Sequence, residues 1–150
     1  MCMIGEDDIQ ESPPRVPRSL RTWFVVHFAV DMIVGIPLFL APVTVLGHLG
    51  WDRVDPVFTR LFAAALLGIG LESLLGRNAG PEAYKGMLNL KIVWSLSAAL
   101  GIGLSMAGAA IYRHPLAWSG LAVFLFFHAL WVYWRIALHK VGRSKGRARP

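Results

Sequence analysis

The sequence predicts an all-α integral membrane protein: a four-transmembrane-helix bundle with both termini in the cytoplasm. Three observations carry this. Hydrophobic residues make up 55% of the 150-residue chain and charged residues only 16%, and the mean hydropathy is +0.52, a balance that a water-facing surface does not tolerate. Four apolar segments are each long enough to cross a hydrocarbon core of ~30 Å, which takes roughly 20 helical residues. The basic residues collect in alternate connecting segments, as membrane orientation demands.

Residues 1–19 are polar, acidic and then proline-punctuated, which predicts a disordered cytoplasmic tail. The first span is placed at about 20–41. It does not read as a cleaved signal peptide, because it is too long for an apolar signal core and no small-x-small cleavage site follows. Gly35 and Pro37 predict a kink or an end in its outer half, and Pro42 repeats the signal. The semi-apolar loop VTVLGHLGWDRVDP is expected to lie in the outer interface, anchored by Trp51. In Asp55-Pro56 an Asp caps and a Pro takes the first helical position, opening a second span at about 57–76. Gly80-Pro81-Glu82 has the same grammar for a third at about 86–112, with an acidic residue near the positive end of the helix dipole. His114-Pro115 opens the fourth, about 116–138, whose end carries Trp131, Tyr133, Trp134 and Arg135 as an interfacial girdle. The transmembrane domain therefore runs 20–139, and 140–150 form a basic cytoplasmic tail.

Orientation follows from charge. Arg15, Arg18 and Arg21 precede the first span, Arg77 and Lys85 join the second to the third, and Lys140, Arg143, Lys145, Arg147 and Arg149 follow the fourth. The opposite loops hold only Arg53 and Arg113, with Arg60 just inside a helix. Topology thus accounts for the net charge of +6, and nucleic acid is not an expected partner. The partner is the bilayer, and the expected location is the cell inner membrane, crossed several times. Cys2 is the only cysteine, which excludes an internal disulfide and a thiolate metal cluster. Small residues four apart, at Ala64 and Gly68 and at Ser97, Gly101 and Ser105, predict close helix approach in a bundle or a homo-oligomer.

Charges inside the spans are the candidate functional residues, since an ionisable group costs roughly 2.5 to 3.5 kcal/mol at mid-helix and is rarely there without a task. Glu72 and Lys91 lie at similar distances on either side of the turn between the second and third spans, so they share a depth and are predicted to meet, directly or through water. His27, Asp31 and Gly35 recur every four residues and line one face. Asp31 falls near the bilayer centre, where it needs a cation, a proton or water. His128 falls near the middle of the fourth span, and if the first and fourth spans are neighbours then His27, Asp31 and His128 converge. Arg60 is a second possible partner for Asp31, at a depth difference of roughly 10 Å. Each also has a structural reading: the histidines as bonds to neighbouring helices, Glu72 and Lys91 as a neutralising pair.

No hydrolase, protease, P-loop or dinucleotide motif occurs in a fitting context, so nothing points to those enzymes. Two membrane histidines on different spans raise haem, but no c-type attachment motif is present, and no cofactor is predicted. A metal site from His27, Asp31 and His128 has unspecific spacing, and none is predicted.

The segment PLFLAPVTVLGHLGW, followed by DPVFTRLFAAALLGIGLESLLGR, resembles the first two helices of small bacterial four-helix membrane proteins of the DoxX-like kind. Those show a proline after the first helix and an Arg-Leu-Phe/Leu-Gly-Ala run in the second; here Ala63 stands where the pattern commonly has Gly. The resemblance implies action beside quinone-linked redox systems for some relatives, and carries over no functional residue. The expected function is a non-enzymatic membrane component that binds a hydrophobic small molecule, lipid or quinone, or serves as accessory subunit of a membrane complex. The alternatives are an oligomeric proton-coupled carrier or channel using Asp31, and a membrane oxidoreductase with haem or quinone.

Overall fold

The computed structural model describes residues 16–51, 53–108 and 114–146, the last seven by backbone alone. Most of the expected N-terminal tail, Arg113 and the end of the basic tail lie outside the described residues. The described residues are mainly helical, with no strand among them: α1 (Arg18–Leu40), α2 (Pro42–His48), α3 (Pro56–Leu75), a short 3-10 turn (Gly76–Asn78), α4 (Pro81–Gly108) and α5 (Pro115–Gly146). Four of these helical stretches, 18–40, 56–78, 81–108 and 115–139, are long and apolar enough to cross a membrane. Their outward surface is apolar: Ile33, Leu40, Phe58, Leu75 and Leu104 are each at least 70% exposed. Water would expel such a surface, whereas acyl chains accept it.

The helix ends follow local chemistry. Pro37 lies inside α1, where it removes one ladder bond in the last turn, and the helix ends three residues on at Leu40. The break falls at Ala41 (φ −137°, ψ 60°), because the residue before a proline is pushed out of the α region and Pro42 follows. Pro42 then occupies the first position of α2, part of the loop expected at the interface. Gly50, with φ +78°, ends α2: its N–H bonds the Gly47 carbonyl at 3.0 Å, and the Trp51 N–H bonds the Leu46 carbonyl at 2.9 Å. That is a Schellman closure, which needs a residue free to take positive φ. Asp55 caps α3 as its sequence predicts, accepting from the N–H groups of Val57 (2.9 Å) and Phe58 (3.1 Å). At α5 the cap is a histidine: the Leu116 N–H donates to His114 Nδ1 at 3.2 Å.

The long helices pack as two close pairs, α1 with α3 and α4 with α5. Glycine sets the first pair. A Cβ at Gly70 would lie 2.8 Å from the Asp31 Cβ, and one at Gly35 would lie 3.0 Å from Leu67 Cδ2. The expected small-residue stripes do not mark this seam. Ala64, Gly68 and Ser97 are exposed, and added Cβ atoms at Gly68 or Gly101 meet nothing within 4 Å. Spacing by four identifies a face of a helix but not which face its neighbour uses, and here Ala63, Leu66 and Gly70 turn inward instead.

Large side chains join one pair to the other. The core consists of Val16, Leu20 and Phe24 from the start of the chain, Tyr84, Met87 and Leu88 from α4, and Phe127, Trp131 and Leu138 from α5. It sits toward the end of the bundle that holds the α3–α4 turn. Val16 belongs to it and α1 starts at Arg18, so ordered chain begins within the stretch read as tail. Toward the α2 end the pairs part, and a cavity of about 970 Å³ opens between them.

Candidate functional site

The site lies where the tight core meets the cavity. His27, Asp31 and Gly35 share the buried face of α1, as their four-residue spacing requires. Lys91 comes from α4 and is only 1% exposed. Its ammonium donates to Ser73 Oγ of α3 at 2.6 Å, and the Ser73 hydroxyl donates in turn to its own helix at the Ile69 carbonyl, 2.7 Å. The same nitrogen stands 3.5 Å from His27 Nδ1 and lies over two aromatic faces, 5.1 Å from the Phe24 centroid and 5.5 Å from that of Trp131. Ring faces attract a cation more strongly once water is excluded.

His27 is held edge-on between Phe127 (4.8 Å between centroids) and Trp131 (5.1 Å). Its Nδ1 is also 2.8 Å from Asp31 Oδ2. That oxygen, although so near, accepts no hydrogen bond of good geometry, so the contact is a close ion-pair distance rather than a directed bond. One imidazole nitrogen therefore faces both a lysine and a carboxylate. With a proton on Nδ1 it favours Asp31; with a lone pair there it accepts from Lys91. Asp31 and Glu72 are the two carboxylates within electrostatic reach of the ammonium.

Of the two forms expected for the meeting of Glu72 and Lys91, the direct ion pair is not made. The described ion pairs are His27–Asp31 and Lys85–Glu82. Lys91 meets α3 directly at residue 73, one position on from Glu72, and successive helical residues point roughly 100° apart. Glu72 stays half-buried, with Oε2 buried and lacking a hydrogen-bond partner in the protein. His128 does not join His27 and Asp31. Although α1 and α5 do touch, Phe127 and Trp131 are the α5 residues that face His27, while His128 Nδ1 turns to α4, 3.2 Å from Ser95 Oγ and 3.3 Å from the Ile92 carbonyl. Arg60 is not a partner for Asp31 either; its Nε donates to the Phe39 carbonyl at 3.1 Å, satisfying an acceptor at the end of α1. Arg135 donates to Asn89 Oδ1 at 2.8 Å, linking α5 to α4.

Ser73, Phe24 and Trp131 are site residues that sequence reasoning missed. Ser73 had a signal, since it is the hydroxyl nearest to Glu72 in a segment otherwise apolar. The aromatics had none, because a span rich in Phe and Trp does not say which ring turns inward: Trp131, expected in the interfacial girdle, is instead fully buried in the core.

His27, Asp31, Lys91 and Ser95 line one end of the cavity; Leu46, Leu49 and Trp51 line the other; Leu38, Phe62, Leu66, Trp94, Ile102 and Phe124 are among the apolar residues between. The volume is near the top of the ~300–1,000 Å³ range of small-molecule pockets, and the pattern of a few polar groups in an apolar wall is the usual one. Among the described residues no group of three His, Cys, Asp or Glu side chains is assembled that would hold a metal ion. No protein-family model matches the chain, and neither a curated protein nor a solved structure is significantly similar to it.

Proposed function

We propose that the four long helices span the cell inner membrane with both ends of the chain in the cytoplasm, and that the cavity holds a small hydrophobic molecule, a lipid or a quinone. One observation carries the reading: an apolar cavity of about 970 Å³ ends on a buried cluster of His27, Asp31, Lys91 and Ser95. The apolar wall takes a chain or ring, and the cluster offers both donors and acceptors to a polar head. Lys91 and Asp31 balance each other in charge, which suits a neutral head bearing carbonyl or hydroxyl oxygens better than a free anion. No step of chemistry is needed for this role, in keeping with a non-enzymatic component.

The test is mass spectrometry of the full chain extracted gently from its membrane, alongside Gly101→Trp. Gly101 lines the cavity and an added Cβ there meets nothing within 4 Å, so an indole can be set against the cavity without a clash at its root, and an unfolding midpoint equal to that of the native chain shows that the variant is folded. A lipid or quinone retained by the native chain and lost from the variant supports the proposal. Equal retention by both, or none by either, overturns it.

A second reading, a proton-coupled carrier, is favoured by the run of ionisable groups from Asp31 through His27 to Lys91 at the cavity. It requires flux in proteoliposomes that disappears with Asp31→Asn.

A further inference from the structure

Lys91 is unusual even for a buried cation. It lines a large apolar cavity while being almost wholly enclosed, it hydrogen-bonds a neutral hydroxyl rather than a carboxylate, and a base stands beside it. That base, His27 Nδ1, is 3.5 Å from the lysine nitrogen and 2.8 Å from Asp31 Oδ2. A proton leaving Lys91 for His27 therefore arrives next to a carboxylate. The transfer exchanges a lysine cation for a histidine cation paired with Asp31, and leaves a free amine at the polar end of the cavity. Free amines in enclosed apolar sites attack carbonyl carbon, the basis of lysine imine chemistry.

We propose that Lys91 captures a hydrophobic aldehyde from the membrane as an imine, with His27 as base and Asp31 as the residue that positions and neutralises it. The inference rests on the cavity being a ligand site. In the first step His27 takes a proton from the ammonium, and the amine electron pair forms a C–N bond to the aldehyde carbon. The carbonyl oxygen becomes a hydroxyl by taking a proton back from His27. In the second step His27 takes a second proton from that nitrogen and passes it to the hydroxyl, which leaves as water while the electron pair freed on nitrogen forms the C=N bond. The sum is aldehyde plus lysine ammonium giving protonated imine plus water, with His27 unchanged at the end and no oxidant or reductant.

The experiment uses the full chain in detergent micelles with hexadecanal as probe and sodium cyanoborohydride to trap any imine as a stable secondary amine. Peptide mapping then reports the adduct at Lys91 against Lys85, Lys140 and Lys145, which serve as internal references. Preferential labelling of Lys91, slowed ~100-fold or more by His27→Phe, is the expected result for loss of a general base. Hexadecanol, which fits the same space and forms no imine, is measured in parallel by native mass spectrometry and as a competitor. Hexadecanol bound, with aldehyde trapped no faster at Lys91 than at the reference lysines, overturns the imine while the cavity reading stands. Neither compound bound overturns both. Labelling of Lys91 that His27→Phe leaves unchanged overturns the relay. Hexadecanol binding by His27→Phe shows that the variant is folded.

Discussion

Gly70→Ala couples the packing of the bundle to the site. The new Cβ would stand 2.8 Å from the Asp31 Cβ, 2.9 Å from Met32 Cε and 3.2 Å from Asp31 Oδ2. Comfortable carbon–carbon separation is ~3.8 Å, so α1 and α3 must part by about 1 Å at this point. Met32 can swing aside, but the Asp31 Cβ is fixed to its backbone and cannot. Overpacking of this kind costs about 1–3 kcal/mol. Gly68→Ala is the matched comparison: it sits on the same helix, with nothing within 4 Å of the added carbon. Both changes share whatever the helix gains in replacing Gly by Ala, so their difference isolates the clash. Unfolding in detergent, followed by tryptophan fluorescence, should show Gly70→Ala about 1–3 kcal/mol less stable than Gly68→Ala. Equal stability of the two would refute the close approach of α1 and α3 at Asp31, and with it the geometry that sets Asp31 against His27.

Two further outcomes follow from single contacts and a third from the placing of basic residues. Ser73→Ala removes the acceptor of the Lys91 ammonium and should destabilise the fold by about 1.5–3 kcal/mol in the same unfolding assay, whereas Ser97→Ala, on an exposed face, should cost less than ~0.5 kcal/mol. Asp55→Ala should cost about 1 kcal/mol through loss of the α3 cap, and Asp55→Asn should recover most of it; a loss that Asn does not rescue would mean that the carboxylate does more than cap. Reporter fusions at the two ends of the chain should both be active in the cytoplasm, and activity of one on the far side would overturn the orientation drawn from basic residues.

The legible parts of this protein are those governed by one segment at a time. The Asp55-Pro56 and Pro81-Glu82 starts can be read because a cap acts within three residues of itself, and α3 and α4 begin where those residues stand. The shared face of His27, Asp31 and Gly35 can be read for the same reason, since helical periodicity alone sets it. The exact end of α1 is less legible from Pro37, because the penalty for a proline depends on how much helix remains beyond it, and in the last turn only one bond is lost. That Ser73 rather than Glu72 bonds Lys91 directly is not legible, because depth is a one-dimensional quantity that sequence spacing supplies, while contact needs rotation about the axis as well.

Composition and periodicity thus determined that this chain is a set of four apolar helices, where each begins, and that a few polar residues must be enclosed, because the cost of an unpaired charge in hydrocarbon is a property of the segment itself. Tertiary structure alone decided which of them meet. The close seam at Gly70 brings α1 against α3, the rotation of α3 offers Ser73 rather than Glu72 to Lys91, and the parting of the two helix pairs leaves a cavity beside His27 and Asp31. These depend on how helix surfaces fit one another in azimuth and separation, which no single segment encodes.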